Sequence, residues 1–200
     1  MSIVKLNNRS VKDITQFGSI SSLGSLTHIA TQTASSSASI SFTSGIDSTY
    51  KEYILFLVNL HFSSDGCNFE VNFRDGGSNF DATKTTTFFR THHSEDGGTS
   101  DLSYQTGRDL AQSTANQTLA ENLGNGSDES LSGHLTIFNP SSTVFVKHFI
   151  AQTQYYQTNN YSESVFVSGY NNVTAAVDGI KFEPSAGTID SGQILLFGVN

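Results

Sequence analysis

The stretch YKEYILFLVNLHF, residues 50–62, is the most apolar part of the chain, with its longest apolar run from Tyr53 to Leu60. That run has the length of a strand and is far too short to cross a bilayer. Successive side chains of a strand point to opposite faces, so apolar residues at consecutive central positions make both faces apolar. We therefore expect this strand to lie in the middle of a sheet, or to pack one face on the core and the other on a neighbour.

A period of two, typical of half-buried strands, surrounds this stretch. It recurs in the segments ASISF (38–42), CNFEVNF (67–73), TKTTTFFRTHH (83–93), SGHLTIF (132–138), TVFVKHFIAQTQ (143–154), YSESVFVSGY (161–170), AAVDGIKFE (175–183) and SGQILLFGV (191–199). Glycine-containing turns separate them, as at Ser64–Gly66 and Arg74–Gly77. Pro140 and Pro184 fall at strand ends, where a missing N–H does no harm.

This spacing predicts an all-β fold: a jelly-roll-like antiparallel β-sandwich of about nine strands over residues 27–200, with an extended N-terminal arm. The stretch from Ser94 to Ser130 is less regular. It could hold one short strand near Tyr104 and a helical turn from Asp109 to Ala115.

Amino-acid composition restricts the kinds of surface and cellular environment that the protein can have. Charged residues make up 14% of the chain, so its surface must be largely Ser, Thr, Asn, Gln and Gly. Its one cysteine, Cys67, rules out an internal disulfide and is consistent with folding in a reducing cytoplasm. Cys67 shares a strand face with Phe69 and Val71, so we expect it to be buried. No signal peptide is recognisable at the start, and we expect no membrane partner.

Charge divides the chain unevenly. Residues 1–26 scatter single apolar residues without a period, and their first twelve positions hold three basic residues and no acid. The other seven basic residues face all eighteen acids, so residues 13–200 carry 7 − 18 = −11, which argues against a nucleic-acid partner. We interpret residues 1–26 as an anchoring arm, with a solvated terminus as the alternative. The candidate partner-binding residues are Val4, Lys5, Leu6, Arg9, Val11, Lys12, Ile14 and Phe17.

Candidate catalytic and metal-binding groups are few. His92 and His93 are adjacent, so a strand would point them to opposite faces; with Glu95, Asp96 and Asp101 they form either a loop metal site or a solvated polar loop. We expect His134 and His148, on facing strands, to be packed or hydrogen-bonded. Most acids stand in turns, where Asp serves turn geometry. We predict no enzyme, no catalytic residue, no metal and no cofactor.

One segment is a candidate binding surface. QTQYYQTNNY, residues 152–161, combines Tyr155, Tyr156 and Tyr161 with amides, which suits sugar rings that stack on aromatics while their hydroxyls bond amides. In the alternative interpretation, which we favour, the same residues pair two strands or two subunits.

Several blocks resemble small structural proteins of tailed bacteriophages, especially marine and cyanobacterial phages, described as tail-fibre-like or virion structural proteins. They include VKLNNRSVKDITQFGS (4–19), FRDGGSNF (73–80), SDESLSGHLTIF (127–138) and, most specifically, AVDGIKFEPSAGTIDSGQILLFGV (176–199). The resemblance covers nearly the whole chain. It implies a virion component and brings no catalytic residues.

Three functions follow as expectations. The first is a tail or fibre-type appendage, anchored by residues 1–26 and assembled in the bacterial host cytoplasm. The second is a capsid decoration protein on the major capsid lattice, and the third is a carbohydrate-binding module for host-surface glycans. Exposed sheet edges can be capped by neighbouring copies, so we expect a homo-oligomer, with a trimer favoured, whose other partners are virion proteins.

Overall fold

The computed structural model describes residues 25–200, and all the regular structure in that range is β. The strands are β1 (Leu26–Thr33), β2 (Ile40–Phe42), β3 (Glu52–Phe62), β4 (Cys67–Arg74), β5 (Lys84–Ser94), β6 (Ser100–Tyr104), β7 (Gln117–Leu123), β8 (Leu131–Phe138), β9 (Lys147–Gln157), β10 (Tyr161–Asn171), β11 (Gly179–Pro184) and β12 (Ile189–Val199). All their pairings are antiparallel. The predicted all-β antiparallel class is confirmed.

Four strand pairs are nested inside one another along the chain. β1 pairs with β12, β2 with β11, β3 with β8 and β4 with β7. They form a long antiparallel ribbon. The additional pairing of β12 with β3 and of β11 with β4 shows that this ribbon is rolled up. A rolled ribbon of four nested pairs is the jelly-roll topology.

The roll produces two sheets. The small sheet has the order β7-β4-β11-β2, and the large sheet has the order β1-β12-β3-β8-β9-β10-β5-β6. Strands β5–β6 and β9–β10 are hairpins inserted into the ribbon; β10 pairs with β5 over eleven residues and so extends the large sheet beyond β8. A single pair, Leu123 with Gln157, joins β7 to β9 at one end of the sandwich.

The core lies between the sheets and is largely aromatic. The Phe62 and Phe69 rings lie 5.4 Å apart, and Phe69 stacks on Phe182 at 5.6 Å. Phe73 of the small sheet meets Phe149 of the large sheet at 4.8 Å, which locks the inserted hairpin to the roll. Each such side chain, fully buried, contributes about 1.5–3 kcal/mol.

Strand β3 occupies the middle of the large sheet, as its sequence predicts. It lies between β12 and β8, and its inward residues Tyr53, Leu55 and Leu57 are buried in the core. Its outward residues are only partly covered; Val58 is 40% exposed. Both faces are thus apolar, but only one is buried within the single chain.

The strand count was underestimated: residues 25–200 form twelve strands where about nine were predicted, the additional ones being β1, β7 and β6, which is the short strand expected near Tyr104. The missed strand β7 is buried at nearly every position, because the sheets and the inserted hairpins enclose it, and so its sequence shows no alternation. The predicted helical turn from Asp109 to Ala115 is wrong. That segment runs beside β5 instead, with backbone hydrogen bonds of 2.9 Å from Lys84 N to Ser113 O and from Thr86 N to Leu110 O.

Two strand starts differ from the predicted positions, whereas the end of β11 and the burial of Cys67 agree with the predictions. Strand β9 begins at Lys147 rather than at residue 143, and β11 at Gly179 rather than at residue 175. Pro184 ends β11, as predicted. Cys67 is buried, also as predicted, and burial raises the pKa of its thiol to about 11, so it stays a neutral thiol.

Candidate functional site

The outer face of the large sheet, meaning the side of its strands that points away from the core, carries most of the exposed apolar surface. Seven large apolar side chains that are exposed in the described part of the chain lie on it: Leu26, Val58, Phe89, Leu102, Tyr104, Phe138 and Ile150. Two more, Val144 and Phe145, about 70% exposed, lie in the loop between β8 and β9. Exposed apolar surface concentrated on one face indicates a contact site.

Strand register arranges these side chains in rows across the sheet. One row runs through positions that pair in register across β8, β9, β10, β5 and β6: His134, Gln152, Phe166, Phe89 and Tyr104. Within it, the Phe89 and Phe166 rings stack at 5.0 Å with planes 9° apart. The stacked rings make a flat, stiff surface, which loses little side-chain entropy when a partner covers it.

A shallow groove follows on the same face. It has a volume of about 450 Å³ and is lined chiefly by Phe138, His148, Ile150, Ser168 and Tyr170. His148 meets the Tyr170 ring edge-on at 6.0 Å. We call the part of the outer face from the Phe89 row to this groove the apolar half.

Charge is nearly absent from the outer face. No Lys or Arg occupies an outward position in the described strands of the large sheet, and the carboxylates there, Glu52 and Asp190, lie at opposite ends of it. The whole chain has a net charge of −8. A face so depleted of charge in an acidic protein has the composition of an interface core.

An ionic cluster lies on the inward face of the large sheet, between strands β5 and β10 and strand β7. Arg90 Nη1 lies 2.5 Å from Glu121 Oε1 and 3.3 Å from Glu163 Oε1, and Arg108 Nε lies 2.6 Å from Glu121 Oε2. The side chains of Glu163 and Glu121 are 0% and 6% exposed. Desolvation raises the pKa of Glu163. The hydrogen bond from Tyr155 and the charge of Arg90 lower this pKa but do not cancel the effect of desolvation.

This cluster joins β5, β7, β10 and the loop before β7. Its two carboxylates are buried, and two arginines balance the two glutamates. We therefore assign the cluster a structural role, which is to hold the inserted hairpins against β7. Sequence reasoning missed it because its members are distant in the chain and each looks like an ordinary strand residue; the alternation that puts Arg90 inward with Phe88 was the available signal.

The three tyrosines of the predicted platform do not share a surface, and this corrects the prediction. Tyr155 is buried: its hydroxyl accepts from Glu121 N at 3.0 Å and donates to Glu163 Oε1 at 2.7 Å. Tyr156 points to the outer face. Tyr161 stacks on His92 at 5.0 Å on the opposite side. The segment pairs two strands, β9 and β10, as in the favoured alternative.

The histidines do not converge. His92 and His93 alternate along β5, and the His93 ring bonds the carbonyl of Ser94 at 2.9 Å. Across residues 25–200, no three His, Cys, Asp or Glu side chains are placed to share a metal ion. The same range contains no helix of the length and apolarity that crossing a bilayer requires.

The predicted arm residues, from Val4 to Phe17, lie outside the described residues, so their role stays a prediction. No family model matches the chain, and no curated protein matches it.

Proposed function

We propose that this protein is a non-enzymatic structural subunit of a tailed-phage virion. In this proposal it forms a tail or fibre-type appendage, assembles with copies of itself through the apolar half of the outer face, and is anchored by residues 1–26. The observation that carries the assembly role is the uncharged apolar surface around Phe89, Phe138 and Ile150. The sequence resemblance supports the assignment to a virion.

The area of the face limits the contact. Eight strands spaced about 4.8 Å apart, each about eight residues long, cover on the order of 1,000 Å², of which the apolar half takes roughly 500 Å². A standard interface buries about 800 Å² per partner, so a stable contact needs surface beside the apolar half as well. Val144 and Phe145 would add apolar contact at one end.

Charge favours a second copy as the occupant. Two molecules that each carry −8 repel one another wherever their acidic surfaces meet. A face with few charged side chains lets identical copies approach without placing like charges together. A strongly basic partner would instead favour a face rich in carboxylates, whereas the apolar half has only Glu52 at its edge, paired across the strands with Phe138.

We propose a trimer, in which three copies gather their apolar halves about one axis. Closed symmetry of this kind leaves no apolar half uncovered. The opposite end of each outer face, where Glu95, Asp128 and Asp190 lie, would then remain at the periphery, since burying those carboxylates against their symmetry mates would be costly.

Light scattering coupled to size-exclusion chromatography tests the assembly role on the full chain. The monomer mass is 21.6 kDa, so a trimer weighs 3 × 21.6 = 64.8 kDa. A dimer would retain the self-assembly role and revise its symmetry. A monomer at micromolar concentration would contradict the role.

The particle assignment needs a separate experiment. Quantitative mass spectrometry of purified virions should detect the protein at a few copies per particle if it is an appendage. A copy number comparable to that of the major capsid protein would favour capsid decoration, and its absence from virions would exclude both.

A further inference from the structure

A second groove lies at the polar end of the outer face, beyond the apolar half. It has a volume of about 300 Å³, and its lining includes Tyr156, Gln154, Ser130, Ser162, Glu95 and Asp128. Strands β8, β9 and β10 supply its floor, and the loops after β5 and before β8 supply its two carboxylates. This volume is at the lower end of the range of small-molecule sites.

The groove offers one aromatic ring on a rigid support. The Tyr156 hydroxyl lies 3.2 Å from Asn160 Oδ1, to which it donates, so the hairpin turn holds the ring in place. Desolvation, followed by hydrogen bonding to Glu95, raises the pKa of Tyr156, so the phenol stays a neutral donor. A fixed, partly exposed tyrosine ring is suited to stack against the apolar face of a sugar ring.

The polar groups around the ring are serine hydroxyls, which can donate or accept, together with the acceptors of Gln154, Glu95 and Asp128. Gln154 Nε2 donates to Ser162 Oγ at 2.9 Å, which leaves the side-chain carbonyl oxygen of Gln154 open to a ligand. Glu95 and Asp128 add carboxylate oxygens, and neither forms an ion pair in the described part of the chain. Such a lining suits a ligand whose groups both donate and accept hydrogen bonds, as the hydroxyls of a polyol do.

Charge restricts the ligand further. The lining of the groove has two carboxylates and no Lys, Arg or His. An acidic sugar would bring a third negative charge into the groove with no cation to balance it, at a cost in binding free energy. A neutral sugar meets no such penalty, because its hydroxyls donate to the carboxylates.

We infer that the groove around Tyr156 binds a neutral glycan, with one sugar ring stacked on Tyr156 and its hydroxyls donating to Gln154, Glu95 and Asp128. The site is formed within one chain, so it goes beyond the proposed assembly role and does not depend on it. It lies outside the apolar half, so an assembly through that half leaves it open.

A glycan array probed with the full-length protein, followed by calorimetric titration of the neutral glycans that bind, tests this inference. Tyr156→Ala should weaken binding by about tenfold or more, since it removes the stacking surface. Tyr156→Phe should bind nearly as well as the natural protein because it keeps the ring. Tyr161→Ala is the matched control: it removes a neighbouring tyrosine from the opposite side of the sheet and should leave binding unchanged.

Thermal unfolding of each variant separates loss of binding from loss of folding, and the Phe variant keeps the test decisive if the Ala variant unfolds. Three results would overturn the inference: no neutral glycan bound with a Kd below about 1 mM, selective binding of acidic glycans, or equal affinities for the natural protein and a folded Tyr156→Ala variant. None of them bears on the oligomer mass, so the proposed assembly is judged independently.

Discussion

Tyr155 donates its hydroxyl hydrogen to Glu163 Oε1 across 2.7 Å, in the closed space between the two sheets. The same hydroxyl accepts from the backbone N–H of Glu121, so one phenol connects β9, β10 and β7. Arg90 from β5 reaches both carboxylates of this cluster. The inserted hairpins are therefore fastened to the jelly roll by charge and hydrogen bonds as well as by aromatic packing.

Removing the central cation should destabilise the fold strongly. Arg90→Met leaves the buried Glu121 and Glu163 without Arg90, and we expect a loss of about 3 kcal/mol or more in the free energy of unfolding. Lys181→Met is the matched control. Its partner Glu183 lies 2.8 Å away, both side chains are about a quarter exposed, and the loss should stay below about 1 kcal/mol. Urea unfolding at one fixed protein concentration measures both; equal losses would contradict the structural role of the cluster.

Glu163 should make stability depend on pH in a direction opposite to that of an ordinary surface carboxylate. Desolvation raises its pKa in the folded protein above its ordinary value of 4.5, so the folded protein holds this proton more tightly than the unfolded chain. The contribution of Glu163 to stability is therefore greatest at low pH and is lost as pH rises through its folded pKa.

Glu163→Gln, which cannot ionise, tests this sign. The melting temperature of the variant relative to the natural protein should rise between about pH 4 and pH 7. A relative melting temperature that falls over this range would mean that the folded protein favours the ionised Glu163.

Lys84 provides a second pH-dependent contribution. Its ammonium is buried and donates to Ala115 O at 2.7 Å, and desolvation lowers its pKa from 10.5 to about 8. The unfolded chain binds this proton more tightly, so the cost of burying the charge is present below pH 8 and is relieved as pH rises towards 10.5.

Lys84→Met should therefore gain stability relative to the natural protein at about pH 6.5, and the gain should shrink by about pH 9.5. Calorimetric melting at the two pH values measures it. A difference that stays constant with pH would show that Lys84 does not titrate in this window.

A single charge should break the proposed assembly. Ile150 is 49% exposed and lies in the apolar groove, so Ile150→Glu would place carboxylates in the contact between copies. We expect the scattering mass to fall to that of the monomer, 21.6 kDa, with the β circular dichroism unchanged. Ser41→Glu, which adds the same charge to β2 in the small sheet, should keep the oligomer. Retention of the oligomer by Ile150→Glu would place the contact elsewhere.

The arm should be dispensable for folding and required in the particle. The twelve strands of the described residues complete the jelly roll within residues 26–199, so deletion of residues 1–24 should leave the melting temperature and oligomer mass nearly unchanged. We expect the truncated protein to be missing from virions assembled in its presence, as judged by immunoblotting of purified particles. Incorporation at the natural level would contradict the anchoring role.

The sequence predicted the β class and most strands because half-buried strands alternate, as in CNFEVNF, residues 67–73. It could not predict β7, since a strand enclosed on both faces has no period, nor the loop that carries Val144 and Phe145, since exposed and buried apolar residues look alike in a sequence. Tyr155 and Tyr156 show the same limit. The predicted strand ended at residue 154, whereas β9 continues to Gln157, and which of the two adjacent tyrosines faces the core depends on packing against Glu121 and Glu163.

The central claim is that copies of this chain meet through the uncharged apolar half of the outer face. A cryo-electron microscopy reconstruction of the assembled oligomer tests it most directly. We expect Phe89, Phe138 and Ile150 to be buried between copies while Tyr156 stays open to solvent. An assembly in which those three side chains face solvent, with the copies joined through the small sheet or the edge strands, would contradict it.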